Sequence, residues 1–490
     1  MPSAPPPVRP DAPTGIAYST FALLSSFAVF AFTIIVPTML RDGDTGWHLV
    51  AGAWIVAHGA VPTTDPFSFS VVGRPWVAHE WLSEVAMYAS YRAGGWSGVI
   101  VLVGVAMAAL FALVAAELRR WMSARASIIA LLLLATGLLP SLVARPHMLV
   151  LPILAGWTIA LLRAREHDRA PPLPMAAAML IWANAHGSYV FGLALVGVFA
   201  LEALLAAKPS DRRTVIQRWG LFGISATIAA AVTPWGVHGL TFPFYLNDLK
   251  ALGQINEWQP SDFRTFSGFE TILLASLAFL LARPIRIPPI RLLLVLGMLH
   301  MTLQHTRHEI ILVTVGILVL AKPLGRAWRY RDTSFSKPLP HGSERLIVAF
   351  LVSALAISLT AYRVAVPVVR TETRGIPVRA LAHLPPALRH QRVFNEYGFG
   401  GSLILAGIRP YIDGRTDMYG DAFTLDYFAI ARGDADRWHA ANAKWHFGWT
   451  ILPPRSPLVR LLDHDPAWRR IYADDTAVIH QAVPTHRANR

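Results

Sequence analysis

The segment Arg41-Asp42-Gly43-Asp44-Thr45-Gly46-Trp47-His48 places two carboxylates and an imidazole in one short loop, directly after a long apolar run. A carboxylate held at a membrane edge can act as a general base, taking the proton from an attacking hydroxyl. Asp44 and Asp42 are the candidates for that role. Oxygen and imidazole donors in the same region also suit a divalent cation; the candidate ligands are Asp42, Asp44, His48, His79 and Glu80. The competing structural role is a helix cap, because Asp and Thr are both good N-caps. Asp42, Asp44 or Thr45 would then start a helix through Trp47–Ala57.

His79-Glu80 opens an amphipathic stretch with Trp81, Leu82, Val85, Met87, Tyr88 and Tyr91 at apolar spacing. This pattern predicts an interfacial helix lying along a membrane, with Glu80 and Glu84 as its wet face. Further groups sit at the ends of apolar runs: Arg145-Pro146-His147, Asn184-Ala185-His186-Gly187-Ser188, Glu257-Trp258-Gln259-Pro260 and His305-Thr306-Arg307-His308-Glu309. Cations there could hold a phosphate, with Arg giving bidentate contacts. The candidate substrate-binding residues are therefore His48, His79, Glu80, Arg145, His147, His186, Glu257, Arg307 and His308. Taken singly, each is equally suited to anchoring a membrane edge, as Trp235, Trp258 and Tyr245 are to an aromatic belt. Their convergence on one face would make a shared anion site.

The elements that must position these residues are set by composition. Of 490 residues, 54% are hydrophobic and only 15% charged, against roughly a quarter charged in soluble domains. One large soluble core cannot account for this, since such cores divide beyond about 250–300 residues. Apolar runs recur at roughly 17–40, 96–117, 126–143, 147–163, 173–185, 188–206, 218–236, 270–283, 290–304, 309–322 and 345–366. They predict a polytopic α-helical membrane protein with about eleven spans. The first run is too long for a signal-peptide core and reads as an uncleaved span. A net charge of +14 would suggest nucleic acid in a soluble protein. Here Lys and Arg crowd alternate loops, at 119–125, 163–169, 208–218, 283–291 and 322–337, while the intervening loops are sparse. The positive-inside rule then makes the basic side cytoplasmic, and the expected partner is the bilayer, with no nucleic acid. Zero cysteines exclude a disulfide framework or thiolate metal site.

The expected organisation is a cytoplasmic tail over 1–15, a transmembrane domain over 16–366 whose first outer loop spans 41–95, and an extracytoplasmic α/β domain over 367–490. In the last segment, Arg392–Phe394, Pro410–Ile412, Trp449–Leu452 and Ala477–His480 read as strands, and Val378–Leu388, Phe423–Ala441 and Pro457–Leu462 as helices. Asn395 to Gly401 and Tyr411 to Tyr419 are marked by glycines and an Asp413–Arg415 pair, which favours tight turns and a fixed loop. Span interiors are nearly free of ionisable residues, with Glu117 and Glu202 near cytoplasmic ends, where they can snorkel. Ion-coupled transport usually marks mid-membrane positions with such groups; here they cluster at the outer interface.

An acidic motif after a first span, a long outer loop with an interfacial helix, many further spans and an outer soluble domain together resemble the GT-C glycosyltransferases, including bacterial relatives of protein mannosyltransferases and aminoarabinose transferases. Asp44-Thr45-Gly46-Trp47-His48, Pro62 to Ser68, Trp76, His79-Glu80-Trp81-Leu82, Asn184-x-His186-Gly187, Glu257-Trp258 and Asp413-Gly414-Arg415-x-Asp417-x-Tyr419 resemble a GT-C-like group of bacterial membrane proteins. The resemblance implies transfer of a sugar from a polyprenyl-phosphate donor to a glycan, lipid or protein acceptor outside the bacterial cytoplasmic (inner) membrane. It also implies Asp44, ahead of Asp42, as the base, with Arg145, His147, Arg307 or His308 stabilising the departing phosphate. No nucleotide-phosphate loop is present, and a divalent metal ion is the one cofactor the residues suggest. A transporter or flippase and a noncatalytic assembly protein, each for lipid-linked glycans, are the alternative readings.

Overall fold

A computed structural model describes residues 15–328 and 342–483. The expected N-terminal tail, the basic residues Arg329, Arg331 and Lys337, and the end of the chain lie outside them. Thirteen helices precede residue 366 among the described residues: α1 (Gly15–Ile35), α2 (Thr45–His58), α3 (Trp81–Arg119), α4 (Ala124–Leu138), α5 (Pro146–Glu166), α6 (Ala177–Ala185), α7 (Tyr189–Ala206), α8 (Arg212–Ala231), α9 (Val237–Asn247), α10 (Gly268–Ala282), α11 (Pro289–Gln304), α12 (Glu309–Trp328) and α13 (Gly342–Ala365). Six stretches, including most of α3, α5, α7, α12 and α13, are long and apolar enough to cross a membrane. Four shorter apolar helices, parts of α1 and α6 with α10 and α11, fall at predicted spans.

The predicted interfacial helix and the second span form one element. Within α3 the backbone leaves helical geometry at Gly94 and Gly95, the latter at φ +58. Glycine takes that left-handed conformation without the Cβ penalty, so the chain bends between the stretch from Trp81 and the apolar run that follows. α3 packs along α1 and α5, and a single apolar core joins them to α4, α7 and α12. At the end of the bundle opposite Asp44, Glu117 does not snorkel. It is buried and ion-paired with Arg120 at 2.6 Å and Arg163 at 2.9 Å, and Glu202 pairs with Arg291 at 3.1 Å. A carboxylate facing neighbouring helices finds a guanidinium closer than it finds water.

After α13 come α14 (Val378–Ala382), α15 (Gly400–Leu405), α16 (Thr416–Ala431), α17 (Ala435–Trp445) and α18 (Pro457–His464), with β1 (Val393–Asn395), β2 (Trp449–Leu452), β3 (Trp468–Ala473) and β4 (Val478–Ala482). The strands order as β1-β2-β4-β3; β1 and β2 run parallel and the other pairs antiparallel. All four β2 residues are buried, as a strand covered on both faces requires.

Three expectations for this segment need correction, and one strand was not foreseen. Val378–Leu388 is not one helix: α14 ends at Ala382 and a 3-10 turn covers Pro386–Leu388. Pro410–Ile412 is not a strand, because the Asn395 side chain satisfies its backbone: Asn395 Nδ2 donates to the Ile412 carbonyl and the Tyr411 amide donates to Asn395 Oδ1, both at 2.8 Å. β3 was hidden by Arg469 and Arg470, which break its apolar pattern. The single helix expected over Phe423–Ala441 is two, α16 and α17, separated by a turn at Gly433 with φ +91.

The first loop and this segment share one core. Trp47, Phe67 and Trp76 pack with Phe394, Tyr411, Tyr419 and Trp438. α2 and α15 approach so closely that a Cβ on Gly46 would overlap the Gly401 carbonyl.

Candidate active site

Helix ends deliver nearly every candidate. Asp44 sits at the N-terminus of α2, Glu80 at that of α3, Arg145 at that of α5, His186 at the C-terminus of α6, and Glu257 and Arg307 in short 3-10 turns. Neither Asp44 nor Thr45 caps α2. Asp44 makes no capping hydrogen bond, and the Thr45 hydroxyl donates to the Ala144 carbonyl at 3.0 Å. Asp42 Oδ1 accepts from the Asp44 amide at 2.7 Å, which fixes the loop but leaves the Asp44 carboxylate unconstrained by the helix.

Arg145 is the hub of one group. Its guanidinium lies 3.6 Å from Asp42, 3.3 Å from Asp44 and 3.1 Å from Glu257, and Arg307 is 3.9 Å from Glu257. Burial raises the Asp44 carboxyl to about 7 despite the opposing Arg145 charge, with Asp42 adding to the rise. For Glu257 burial also pushes upward, but Arg145 and Arg307 outweigh it and hold the group at about 2. One guanidinium thus faces a carboxylate that stays ionised and another poised near neutrality, a separation typical of acid–base sites.

A second group surrounds Glu80. His186 Nε2 lies 3.2 Å from Glu80, His79 Nε2 3.8 Å and His48 Nδ1 3.9 Å. His186 Nδ1 accepts the Ser188 amide proton at 3.0 Å, so the neutral ring carries its proton on Nε2 and donates it to Glu80. Burial depresses His48, His79 and His186, and it raises Glu80 to about 7. His147 donates to the Ser141 carbonyl at 3.2 Å, with its ring 6.2 Å from that of His186. His308 lines the cavity apart from both groups, its ring against Phe191 and His305.

The five-residue cation set expected from the sequence does not assemble. Arg145 takes Asp42 and Asp44, and among the described residues the group with ligand atoms within 4.8 Å of one another is His48, Glu80 and Glu84. Glu84 is not a wet face; it is buried, with Oε1 3.2 Å from His48 Nδ1. Glu80 and Glu84 are four apart and so share one face of α3, and that face meets His48. The spacing was the available signal. Trp258 is not a belt residue either: it is 8% exposed, with the Arg307 guanidinium 4.1 Å above its ring. Arg370, missed entirely, donates to the carbonyl oxygens of Leu40 and Asp42. Nothing local in the sequence indicates a contact across so many residues.

Two cavities meet at this cluster. One, of about 950 Å³, runs from Arg145, Glu257 and Arg307 between walls that include Val150, Leu154, Phe191 and Ile311. The other, of about 490 Å³, lies between the first loop and the C-terminal segment and includes Asp44, Trp47, Tyr397 and Asp417. Glu80, Arg145, Glu257 and Arg307 border both. Gly414 backs Asp44 so closely that a Cβ there would lie 2.7 Å from Asp44 Oδ2. Gly414→Ala is expected to push the carboxylate aside, lowering turnover by about a hundredfold with little change in melting temperature. Steady-state kinetics beside thermal melting checks it, and unchanged turnover refutes it.

No family model matches the chain, and no curated protein matches its sequence. Solved structures do share its fold. The archaeal oligosaccharyltransferase AglB from Archaeoglobus fulgidus, in complex with an inhibitory peptide and a dolichol-phosphate, aligns over 96% of this chain and 75% of its own at TM-score 0.54 and 10% identity. ArnT from Cupriavidus metallidurans, bound to undecaprenyl phosphate, aligns over 95% of this chain and 98% of its own at TM-score 0.51 and 13% identity. The apo form of the Archaeoglobus fulgidus oligosaccharyltransferase aligns over 88% and 69% at TM-score 0.50 and 12% identity. The architecture is the GT-C fold that the sequence resembles.

Proposed function

We propose that this GT-C-fold chain is a multi-pass glycosyltransferase of the bacterial cytoplasmic membrane, with its N-terminus inside and the cluster outside. It moves a sugar from a polyprenyl-phosphate donor to an acceptor hydroxyl. The observation that carries the reading is the meeting of an apolar-walled cavity and a polar cavity at Arg145, with Asp44 at the junction. The apolar cavity suits a lipid chain and ends at two guanidinium groups suited to its phosphate. The polar cavity admits an acceptor.

In this arrangement Asp44, whose carboxyl burial raises to about 7, takes the acceptor proton in its ionised form as the hydroxyl oxygen attacks the anomeric carbon. The bond from that carbon to the carrier phosphate breaks, and Arg145 and Arg307 stabilise the charge on the departing phosphate. Asp42 orients the loop through the Asp44 amide, and Glu257 holds both guanidinium groups in place.

A divalent ion fits His48, Glu80 and Glu84. Glu84 Oε2 is buried without a hydrogen-bond partner, His48 Nδ1 faces both carboxylates, and one imidazole with two carboxylates is a serviceable donor set. Bound there, the ion would supply positive charge beside the reacting groups.

The fold neighbours solved with polyprenyl phosphates support the donor class. Mass profiling of cell-envelope glycans from cells with and without the intact protein tests the proposal. A glycan should lose one sugar increment and the sugar-charged carrier should accumulate. Identical profiles would defeat it.

A further inference from the structure

His79 and His147 both border the cavity that ends at Arg145, and the transfer chemistry above uses neither. A backbone carbonyl fixes each ring: His79 Nδ1 lies 3.2 Å from the Val77 carbonyl, and His147 Nε2 lies 3.2 Å from that of Ser141. Near neutral pH an imidazole is mostly uncharged and carries one ring proton, which goes to the nitrogen that faces an acceptor. A lone pair is then left on His79 Nε2 and on His147 Nδ1. Among the described residues no N–H or O–H donates to either nitrogen. Glu80 stands 3.8 Å from His79 Nε2, beyond hydrogen-bond reach, and already accepts from His186. The His79 side chain is 25% exposed. Gly187 leaves its nitrogen clear, since a Cβ there would stand 3.6 Å from Nε2. His186 differs from both, because each of its ring nitrogens has a partner.

A lone pair calls for a proton donor, and that requirement selects one part of a sugar-charged carrier. The hydrocarbon chain has no polar hydrogen, and an ionised phosphate diester has no proton to give. The sequence made His147 a partner of the departing phosphate, but a bare nitrogen is the wrong partner for a phosphate oxygen. Arg145 and Arg307 supply N–H groups for it instead. The sugar remains, and its hydroxyl groups donate. His147 lies in the first turn of α5, two positions beyond Arg145. His186 connects it to His79: its ring is 6.2 Å from that of His147, and its Nε2 shares Glu80 Oε1 with His79 Nε2. The two lone pairs therefore belong to one group beside the phosphate site. His147 borders the apolar cavity and not the polar one, so its ligand arrives with the carrier rather than with the acceptor.

We infer that His79 and His147 read the transferred sugar while it is still on its carrier, each accepting a hydrogen bond from one of its hydroxyl groups. This rests on the transfer reading above and adds the residues that select the donor sugar.

Binding to the full chain in nanodiscs tests it. The probes are farnesyl phosphate diesters of glucose, galactose, mannose and arabinose. Methyl farnesyl phosphate, with the same charge and no sugar, is the reference. At least one sugar diester should bind about ten- to a hundredfold more tightly than the reference, the worth of two hydrogen bonds. His79→Leu and His147→Leu should each remove about three- to tenfold of that gain while the reference binds as before. His79→Gln and His147→Asn should keep most of it, because the amide oxygen can take the place of the lost ring nitrogen. No gain from any sugar overturns the inference. So does a gain that survives both Leu variants, an equal loss in the amide variants, or an equal weakening of the reference. Each of these leaves the transfer reading standing. An unaltered chain that binds neither the reference nor undecaprenyl phosphate overturns the transfer reading itself.

Discussion

Asp44→Asn is expected to lower sugar transfer by about 10²–10⁴-fold, the usual worth of a positioned general base, while the protein still folds and binds carrier. Asn keeps the shape and cannot take the proton. In the unaltered protein the rate should climb with pH and level off above about 7, because burial raises the Asp44 carboxyl to about 7 and only its ionised form is a base. Stability should move the opposite way. Between the ordinary carboxyl value of 3.8 and about 7 the folded state keeps a proton that the unfolded chain has released. Folding therefore loses free energy as pH rises through that window. The Asn variant lacks this slope, so its melting temperature relative to the unaltered protein should increase from pH 4 to pH 7. Full transfer by Asp44→Asn, or a rate that falls as pH rises toward 7, would remove Asp44 from the mechanism.

Arg415→Met is expected to destabilise the protein by about 3–5 kcal/mol, the cost of leaving buried charges without their partner. Arg415 is 1% exposed and donates to Asp65 at 2.8 Å and to Asp413 at 2.7 and 2.8 Å; Tyr419 adds a hydrogen bond to Asp413 at 2.8 Å. Its guanidinium also lies 4.8 Å above Trp76 and 5.2 Å above Phe67. These contacts tie the first loop to the C-terminal segment, so the loop carrying Asp44 should become susceptible to protease as the two part. Arg415→Lys should recover little, since one ammonium cannot reproduce a planar fork bonded to two carboxylates. Chemical denaturation of the purified protein in detergent measures both variants. A loss under 1 kcal/mol for Arg415→Met would show that the triad does not hold the loop.

The sequence revealed most where a signal is local. Apolar runs and the alternation of basic loops placed Arg145, His186, Glu257 and Arg307 on one face with Asp42 and Asp44, and the structure gathers all six around two cavities. Asp413 and Arg415 read as a structural pair, and they are one. What stayed hidden depends on distant chain. Asp65 sits in a recognisable stretch, yet its partner Arg415 lies 350 positions away. Glu84 looked like the solvent side of an amphipathic helix because nothing nearby shows that α2 covers that side with His48. Pro410–Ile412 has the apolar character of a strand, but an amide side chain rather than a neighbouring strand takes its hydrogen bonds.

The account rests on a lipid phosphate reaching Arg145 through the apolar cavity. Photo-crosslinking with a diazirine-bearing polyprenyl phosphate, followed by peptide mass spectrometry, tests this directly. Label should fall on Val150, Leu151, Leu154, Phe191, Ile310 and Ile311, the residues walling that cavity, and undecaprenyl phosphate should compete it away. Label confined to the exposed apolar faces of α8 and α13, or insensitive to competitor, would contradict it.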